Sequence, residues 1–182
     1  MKHYLKPVIS LTVICLTVGL LLSVVNVLTA DKIAENLSAA EKAAVEKVFG
    51  AGVEYSRTEG APDTVDTVYR VTSDGEMRGY CVTVSPNGFG GNIDMVVGVA
   101  SDGKIIGVAI TALSETPGLG SRVNDDGYLS GYNGHSGQLA LGTDVQAISG
   151  ATISSRSVMS GVNTALGALA SMGLVGEEKA NG

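Results

Sequence analysis

The chain has 182 residues, enough for one membrane segment followed by a soluble domain of about 150 residues. Its net charge is −6, its sequence pI is near 4.8 and it has no run of lysines or arginines, so we exclude a nucleic-acid partner, which requires a basic surface. Tryptophan is absent, phenylalanine occurs twice and glycine 25 times, which predicts a core built from Val, Ile, Leu and Ala.

The cysteines and histidines are too few and too scattered to predict a disulfide or a metal site. Cys15 lies in an apolar segment and Cys81 in a predicted strand far along the chain, so a bridge between them is not expected. His3 and His135 do not supply a multi-histidine metal site. We predict no metal, and we interpret His135 as a solvated loop residue.

An uncharged apolar segment, residues 8–30, dominates the N-terminal part of the chain. At about 1.5 Å per residue it makes a helix of roughly 34 Å, long enough to cross the hydrocarbon layer. Lys2 and Lys6 precede it, which predicts that residues 1–7 stay in the cytoplasm and that everything after Ala30 lies on the outer side. A cleaved signal peptide is the alternative. Its apolar core is usually shorter, so we predict a retained single-pass anchor in the cell membrane.

Residues 31–52 carry apolar side chains at helical spacing, and we interpret them as a juxtamembrane helix. Ser38 and Glu41 have the spacing of a capping box, which predicts that the helix restarts there after a break. Gly50 and Gly52 are expected to end it.

Residues 53–175 are predicted to form the outer domain, and residues 176–182 a flexible tail. Alternating segments separated by turn residues indicate two β-hairpins. The final element, residues 154–172, has the apolar spacing of an amphipathic helix that lies on a sheet. Strands followed by helices predict an α+β fold with an antiparallel sheet and flanking helices. The predicted hairpins are residues 64–72 with 77–84 around Ser73-Asp74-Gly75, and residues 93–100 with 104–111 around Ser101-Asp102-Gly103.

Two short motifs, SGATISS at residues 149–155 and ETPGLG at residues 115–120, have the residue types of a ligand site. The first places small side chains before a helix, whose free N–H groups suit a phosphate, with Ser154 or Ser155 as the predicted N-cap. In the second, Pro117 and Gly118 predict a tight, rigid turn. Each motif alone is no more than a turn.

In the chain, ETPGLG precedes SGATISS by about thirty residues, and both follow an apolar segment. In this arrangement the two motifs together resemble one family. The region from Gly88 to Leu169 is similar to the FMN-binding domain shared by the G subunit of the Rnf ion-translocating ferredoxin:NAD⁺ oxidoreductase and the C subunit of the sodium-translocating NADH:quinone reductase. The resemblance implies one FMN joined through its phosphate to Thr152 by a separate flavin transferase. It also implies a flavoprotein subunit that transfers electrons among the other membrane subunits of an Rnf-type complex.

The same resemblance implies the residues of the flavin site and no catalytic residue of the protein's own. Besides Thr152, the SGAT segment supplies Ser149, Gly150, Ala151, Ile153, Ser154 and Ser155. The turn that lies against the flavin supplies Glu115, Thr116, Pro117, Gly118 and Leu119.

Two alternatives stay open at this stage. One is a free-standing, membrane-anchored flavoprotein that serves extracellular electron transfer or a reductase. The other is a binding or structural domain without a cofactor, which is favoured by Gln146 at the position where the family usually has an aspartate. Tyr128 and Tyr132 are interpreted as packing residues, and Asp125-Asp126-Gly127 as a turn.

Overall fold

The computed structural model describes the backbone of residues 2–175 and the side chains of residues 10–23 and 39–175. The predicted tail, the side chains at both ends of the predicted membrane segment and that of Ser38 lie outside this description. The chain divides into two compact units, Met1–Ala39 and Ala40–Gly182.

One helix, α1, runs from Lys2 to Phe49. The predicted break at Ser38 is wrong, because the backbone is helical on both sides of that residue. The helix ends as predicted at Gly50, whose φ of +97° leaves the helical region while its N–H still donates to the Glu46 carbonyl. Among the residues with described side chains, no helical stretch is both long and apolar enough to span a bilayer.

Five strands form one antiparallel sheet in chain order. Both predicted hairpins are confirmed, and at the first turn Asp74 and Gly75 adopt φ values of +54° and +78°, as a two-residue turn requires. The strand β1 was not predicted, because it is short and all its residues are exposed. The strands are β1 Glu54–Arg57, β2 Thr67–Ser73, β3 Glu76–Val84, β4 Ile93–Val99 and β5 Ile105–Leu113.

The sheet is buried on both faces. One face packs on the last helix, α3, which spans Thr152–Ser171, and the other packs on residues 40–49 of α1. Gly98 in β4 makes the second contact possible, since a side chain there would collide with Val48 and Phe49. The prediction of an antiparallel sheet with flanking helices is confirmed, and burial on both faces explains why residues 80–84 of β3 and the residues of β4 are mostly apolar.

Between β5 and α3 the chain forms short helical turns rather than regular long elements. They are a 3₁₀ turn at Gly120–Asn124, the helix α2 at Asp126–Leu129 and a second 3₁₀ turn at Ser130–Tyr132. The residues predicted as a simple turn at Asp125-Asp126-Gly127 therefore begin a helix. Tyr128 and Tyr132 pack edge to face with ring centroids 5.7 Å apart, as predicted, and burial raises the pKa of Tyr132.

Candidate functional site

A pocket of about 310 Å³ lies where three separate segments meet. One segment is the glycine-rich loop after β3, the second is the ETPGLG turn after β5, and the third is the start of α3. A volume near 300 Å³ is at the lower end of the range for small-molecule sites. The lining residues are Phe89, Glu115, Thr116, Leu119, Gly120, Gly150, Ala151, Thr152, Ile153 and Ser154.

The ETPGLG turn has the geometry that its sequence predicts. Pro117 sets the first corner, Gly118 follows with a φ of +75°, and the Leu119 N–H donates to the Thr116 carbonyl at 3.2 Å. The Gly118 N–H donates to the Ser121 hydroxyl at 2.9 Å, which ties the turn to the residues after it. This rigid turn presents the Leu119 side chain to the pocket.

The segment before α3 depends on the glycine at position 150. Its φ is +81°, and a Cβ there would lie 3.1 Å from Leu119 Cδ1. The next residue, Ala151, is buried, and its N–H donates to the Ile148 carbonyl at 2.9 Å. Small residues at 150 and 151 therefore let two segments that are thirty residues apart in sequence come into contact.

Thr152 is the first residue of α3, and its side chain is exposed. Ala151 occupies the N-cap position, so no side chain caps the helix there. The first N–H groups of a helix have no acceptor within the helix, and the partial positive charge at that end favours anions. The Thr152 hydroxyl therefore lies beside unpaired backbone donors.

Ser154 and Ser155 are not the N-cap that the sequence predicted. The helix begins at Thr152, which leaves both serines buried within its first turns. The Ser154 hydroxyl donates to Glu115 Oε2 at 3.0 Å, and the Ser155 hydroxyl accepts from the Ile148 N–H at 3.0 Å. These two hydrogen bonds connect the first turn of α3 to Glu115 and to Ile148.

Glu115 is the buried acidic residue of the pocket, with only 8% of its surface exposed. Its Oε1 accepts hydrogen bonds from the backbone N–H groups of Phe89, at 2.6 Å, and Gly90, at 3.4 Å. Since its Oε2 accepts from Ser154, one carboxylate connects all three segments.

The mouth of the pocket is apolar. Phe89, Ile153 and Leu119 expose 70%, 51% and 47% of their surfaces, and they are the three most exposed large hydrophobic residues among residues 50–175. Exposed hydrophobic side chains that converge on one pocket indicate a ligand with an apolar part.

The structure brings together eight of the twelve residues that the sequence assigned to the site. Four others lie in the same segments without lining the pocket, namely Pro117, Gly118, Ser149 and Ser155. Sequence analysis missed Phe89, and it named Gly120 only as the last residue of the ETPGLG motif, without assigning it to the flavin site. The available signal for Phe89 was a single aromatic residue in the glycine-rich sequence PNGFGG. The functional roles of all these residues stay predictions.

The arrangement fits the flavin nucleotide that the resemblance implies. The Thr152 hydroxyl and the free N–H groups at the start of α3 suit a phosphate, and the apolar side chains around the pocket suit an aromatic ring. Gln146, at the position of the family's usual aspartate, is exposed and donates to the Gly142 carbonyl at 3.3 Å. The carboxylate of Asp144, two residues earlier, accepts from the Ala140 N–H of its own turn at 2.7 Å.

Comparison with known proteins yields a domain family and two relatives. The FMN-binding domain family matches residues 88–167. Over 120 residues the chain is 32% identical to the G subunit of the Na⁺-translocating ferredoxin:NAD⁺ oxidoreductase complex of Acetobacterium woodii, a match that covers 58% of this chain and 56% of that protein. Over 164 residues it is 26% identical to the G subunit of the proton-translocating ferredoxin:NAD⁺ oxidoreductase complex of Clostridium ljungdahlii, a match that covers 86% of each chain. The chain therefore spans little more than half of the first relative.

Two solved structures share the fold. NqrC of Shewanella oneidensis is similar with a TM-score of 0.50 and 26% identity over 63% of this chain and 64% of that one. The C subunit of the Na⁺-translocating NADH-quinone reductase of Parabacteroides distasonis is similar with a TM-score of 0.53 and 22% identity over 62% of this chain and 64% of that one.

Proposed function

We propose that this chain, whose residues 88–167 match the FMN-binding domain family, carries one FMN joined through its phosphate to the hydroxyl of Thr152. We further propose that it transfers electrons as a subunit of a membrane-bound, ion-translocating ferredoxin:NAD⁺ oxidoreductase of the Rnf type. The relatives from Acetobacterium woodii and Clostridium ljungdahlii support this second step.

The observation that carries the proposal is the position of Thr152. Its hydroxyl is exposed at the first residue of α3, where unpaired N–H groups and the helix dipole stabilise a phosphate, and it lines the pocket. An exposed hydroxyl is accessible to a separate flavin transferase. Thr116, the other threonine of the pocket, lies in the turn after β5 and has no such helix start beside it.

Each group of residues has a distinct task in holding the flavin. Thr152 provides the ester oxygen, and the start of α3 provides N–H donors to the phosphate. Phe89, Leu119 and Ile153 provide the apolar walls and limit the access of water to the ring. When bound, FMN supplies the redox chemistry, while the protein determines its position and surroundings. A covalent link makes retention independent of the free FMN concentration.

We place the domain on the outer side of the cell membrane, held by residues 8–30 as a single-pass anchor. The described part of that segment supports an anchor, because its leucines, Leu16 and Leu20 among them, are largely exposed. The lysines before the segment support a cytoplasmic N-terminus.

The substitution Thr152→Ala tests the ester. In a host that expresses the flavin transferase, we expect the wild-type chain to gain about 438 Da, the mass of FMN less one water, and the variant to gain nothing. Intact-protein mass spectrometry and ultraviolet-excited fluorescence of the denatured protein in a gel both report the bond. Thr116→Ala, which removes the other threonine hydroxyl of the same pocket, is the matched control and keeps the added mass.

The same tagged wild-type chain, solubilised from its native membrane, tests membership of a complex. We expect other membrane subunits to copurify with it. A flavinylated chain that purifies alone supports the free-standing flavoprotein instead, and an unmodified chain contradicts the redox function altogether.

A further inference from the structure

Glu115 is an acidic side chain held in the wall of the pocket by neutral donors. Glu115 lines the pocket, is buried, and accepts three hydrogen bonds, two from backbone N–H groups and one from a hydroxyl. Both of its oxygens take part, Oε1 with the two N–H groups and Oε2 with the hydroxyl. None of the three donors is charged.

No lysine, arginine or histidine among the described residues forms an ion pair with Glu115. The neutral donors stabilise the carboxylate without cancelling its charge. A buried negative charge of this kind acts strongly on its neighbours, because the protein interior screens charges far less than water does.

The chain leaves room for this carboxylate at two glycines. A side chain at Gly88 would collide with Glu115 Oε1, and one at Gly120 would collide with Glu115 Oε2. Gly120 also lines the pocket, and a Cβ there would lie 2.9 Å from the Ser154 hydroxyl. Both oxygens are therefore held in fixed positions beside the pocket.

We propose that Glu115 keeps the midpoint potential of the bound flavin low by holding an uncompensated negative charge at the pocket wall. The inference rests on the proposed function, since it requires FMN in this pocket. FMN bound in this pocket would supply the redox chemistry, and the fixed negative charge of Glu115 at the pocket wall would oppose any gain of negative charge on its reduction.

The substitution Glu115→Gln removes the charge and keeps the shape. The glutamine oxygen still accepts from Phe89 and Gly90, and its amide group is able to donate to the Ser154 hydroxyl. Flavinylated protein is titrated with a chemical reductant and redox mediators while its absorption spectrum is recorded. We expect the ratio of reduced to oxidised flavin at a fixed potential to rise at least about tenfold, which is about 30 mV for a two-electron couple.

A distant carboxylate provides the control. Glu76→Gln removes the same charge from the other end of β3, about 26 Å along the strand from the pocket side, and leaves the midpoint unchanged. An unchanged midpoint in Glu115→Gln, or an equal rise in Glu76→Gln, overturns the proposal.

A second pair of variants applies if Glu115→Gln does not fold. Thr116 is exposed and lines the same pocket, so Thr116→Lys places a cation beside Glu115, and Thr116→Met is its uncharged match. A higher midpoint in the lysine variant shows that a charge at this part of the pocket wall acts on the flavin, as the proposal requires of Glu115, and equal midpoints overturn the proposal. Wild-type protein without FMN refutes the proposed function together with this inference. If the wild type carries FMN but its midpoint potential does not change in these variants, this inference alone is refuted.

Discussion

Gly120 illustrates how a single residue supports the pocket. It is buried, and a Cβ there would meet the Glu115 carboxylate and lie 2.9 Å from the Ser154 hydroxyl. We expect Gly120→Ala to destabilise the folded chain by about 1–3 kcal/mol, because these two side chains are held by their own hydrogen bond and have little freedom to move.

Chemical denaturation of the full chain in detergent measures that effect. Gly127→Ala in α2 is the matched control, since nothing lies within 4 Å of the Cβ that it adds, and alanine favours a helix over glycine. Equal unfolding free energies for the two variants would contradict the close packing around Glu115.

Other features of the pocket could not be predicted at the residue scale, for a physical reason. The sequence shows Ser154 and Ser155 before a helix, and such residues usually cap it. Here Ser154 bonds Glu115 from a distant segment, so a tertiary contact takes the place of the local one. Gly120 carries no signal of its own, because its role appears only when Glu115 folds against it.

At the scale of elements, a strand or a turn could be predicted where its own sequence has a recognisable pattern. The β2–β3 and β4–β5 hairpins were predicted because each has strand-forming segments on both sides of a glycine-containing turn. The strand β1 has only four exposed residues and pairs with β2 across a long connection, so no local pattern marks it. The ETPGLG turn was predicted because proline and glycine determine its geometry directly.

The contact between the end of α1 and the sheet predicts a pH dependence. Burial raises the pKa of Glu41, and the carboxylates of Asp66 and Asp94 raise it further. A carboxyl group whose pKa is raised by folding destabilises the folded state when it is ionised, and this penalty disappears as the pH falls through the folded-state pKa. Glu41→Gln is therefore expected to raise the melting temperature by about 1–3 °C near pH 8.

That gain is expected to shrink as the pH falls toward the raised pKa of Glu41, where the side chain itself takes up a proton. Thermal unfolding of the full chain at several pH values measures it. Glu46→Gln, an exposed residue on the same helix, is the control and gives no comparable gain. A gain from Glu41→Gln that grows toward low pH would contradict the raised pKa.

At the scale of the whole molecule, the sheet brings the two motifs together. The ETPGLG turn leaves the last strand, and the SGAT segment leads into the helix that packs on one face of the same sheet. The sequence predicted both segments and their order, but not the contact between Gly150 and Leu119 that closes the pocket. That contact depends on the short helical turns that connect the two motifs along the chain. The sequence of these turns has no periodic pattern from which their path could be predicted.

The proposed anchor is tested by charging its centre. Leu16 and Leu20 are exposed and lie near the middle of residues 8–30, where each arginine raises the insertion free energy by about 2.5–3.5 kcal/mol. We expect the double variant Leu16→Arg/Leu20→Arg to be lost from membranes washed with alkaline carbonate, whereas the wild type and Leu16→Ile/Leu20→Ile remain. The outer domain keeps its own core, because both clusters of buried residues lie after residue 40. A charged variant that stays in the membrane as firmly as the isoleucine control would mean that something other than residues 8–30 holds the chain there.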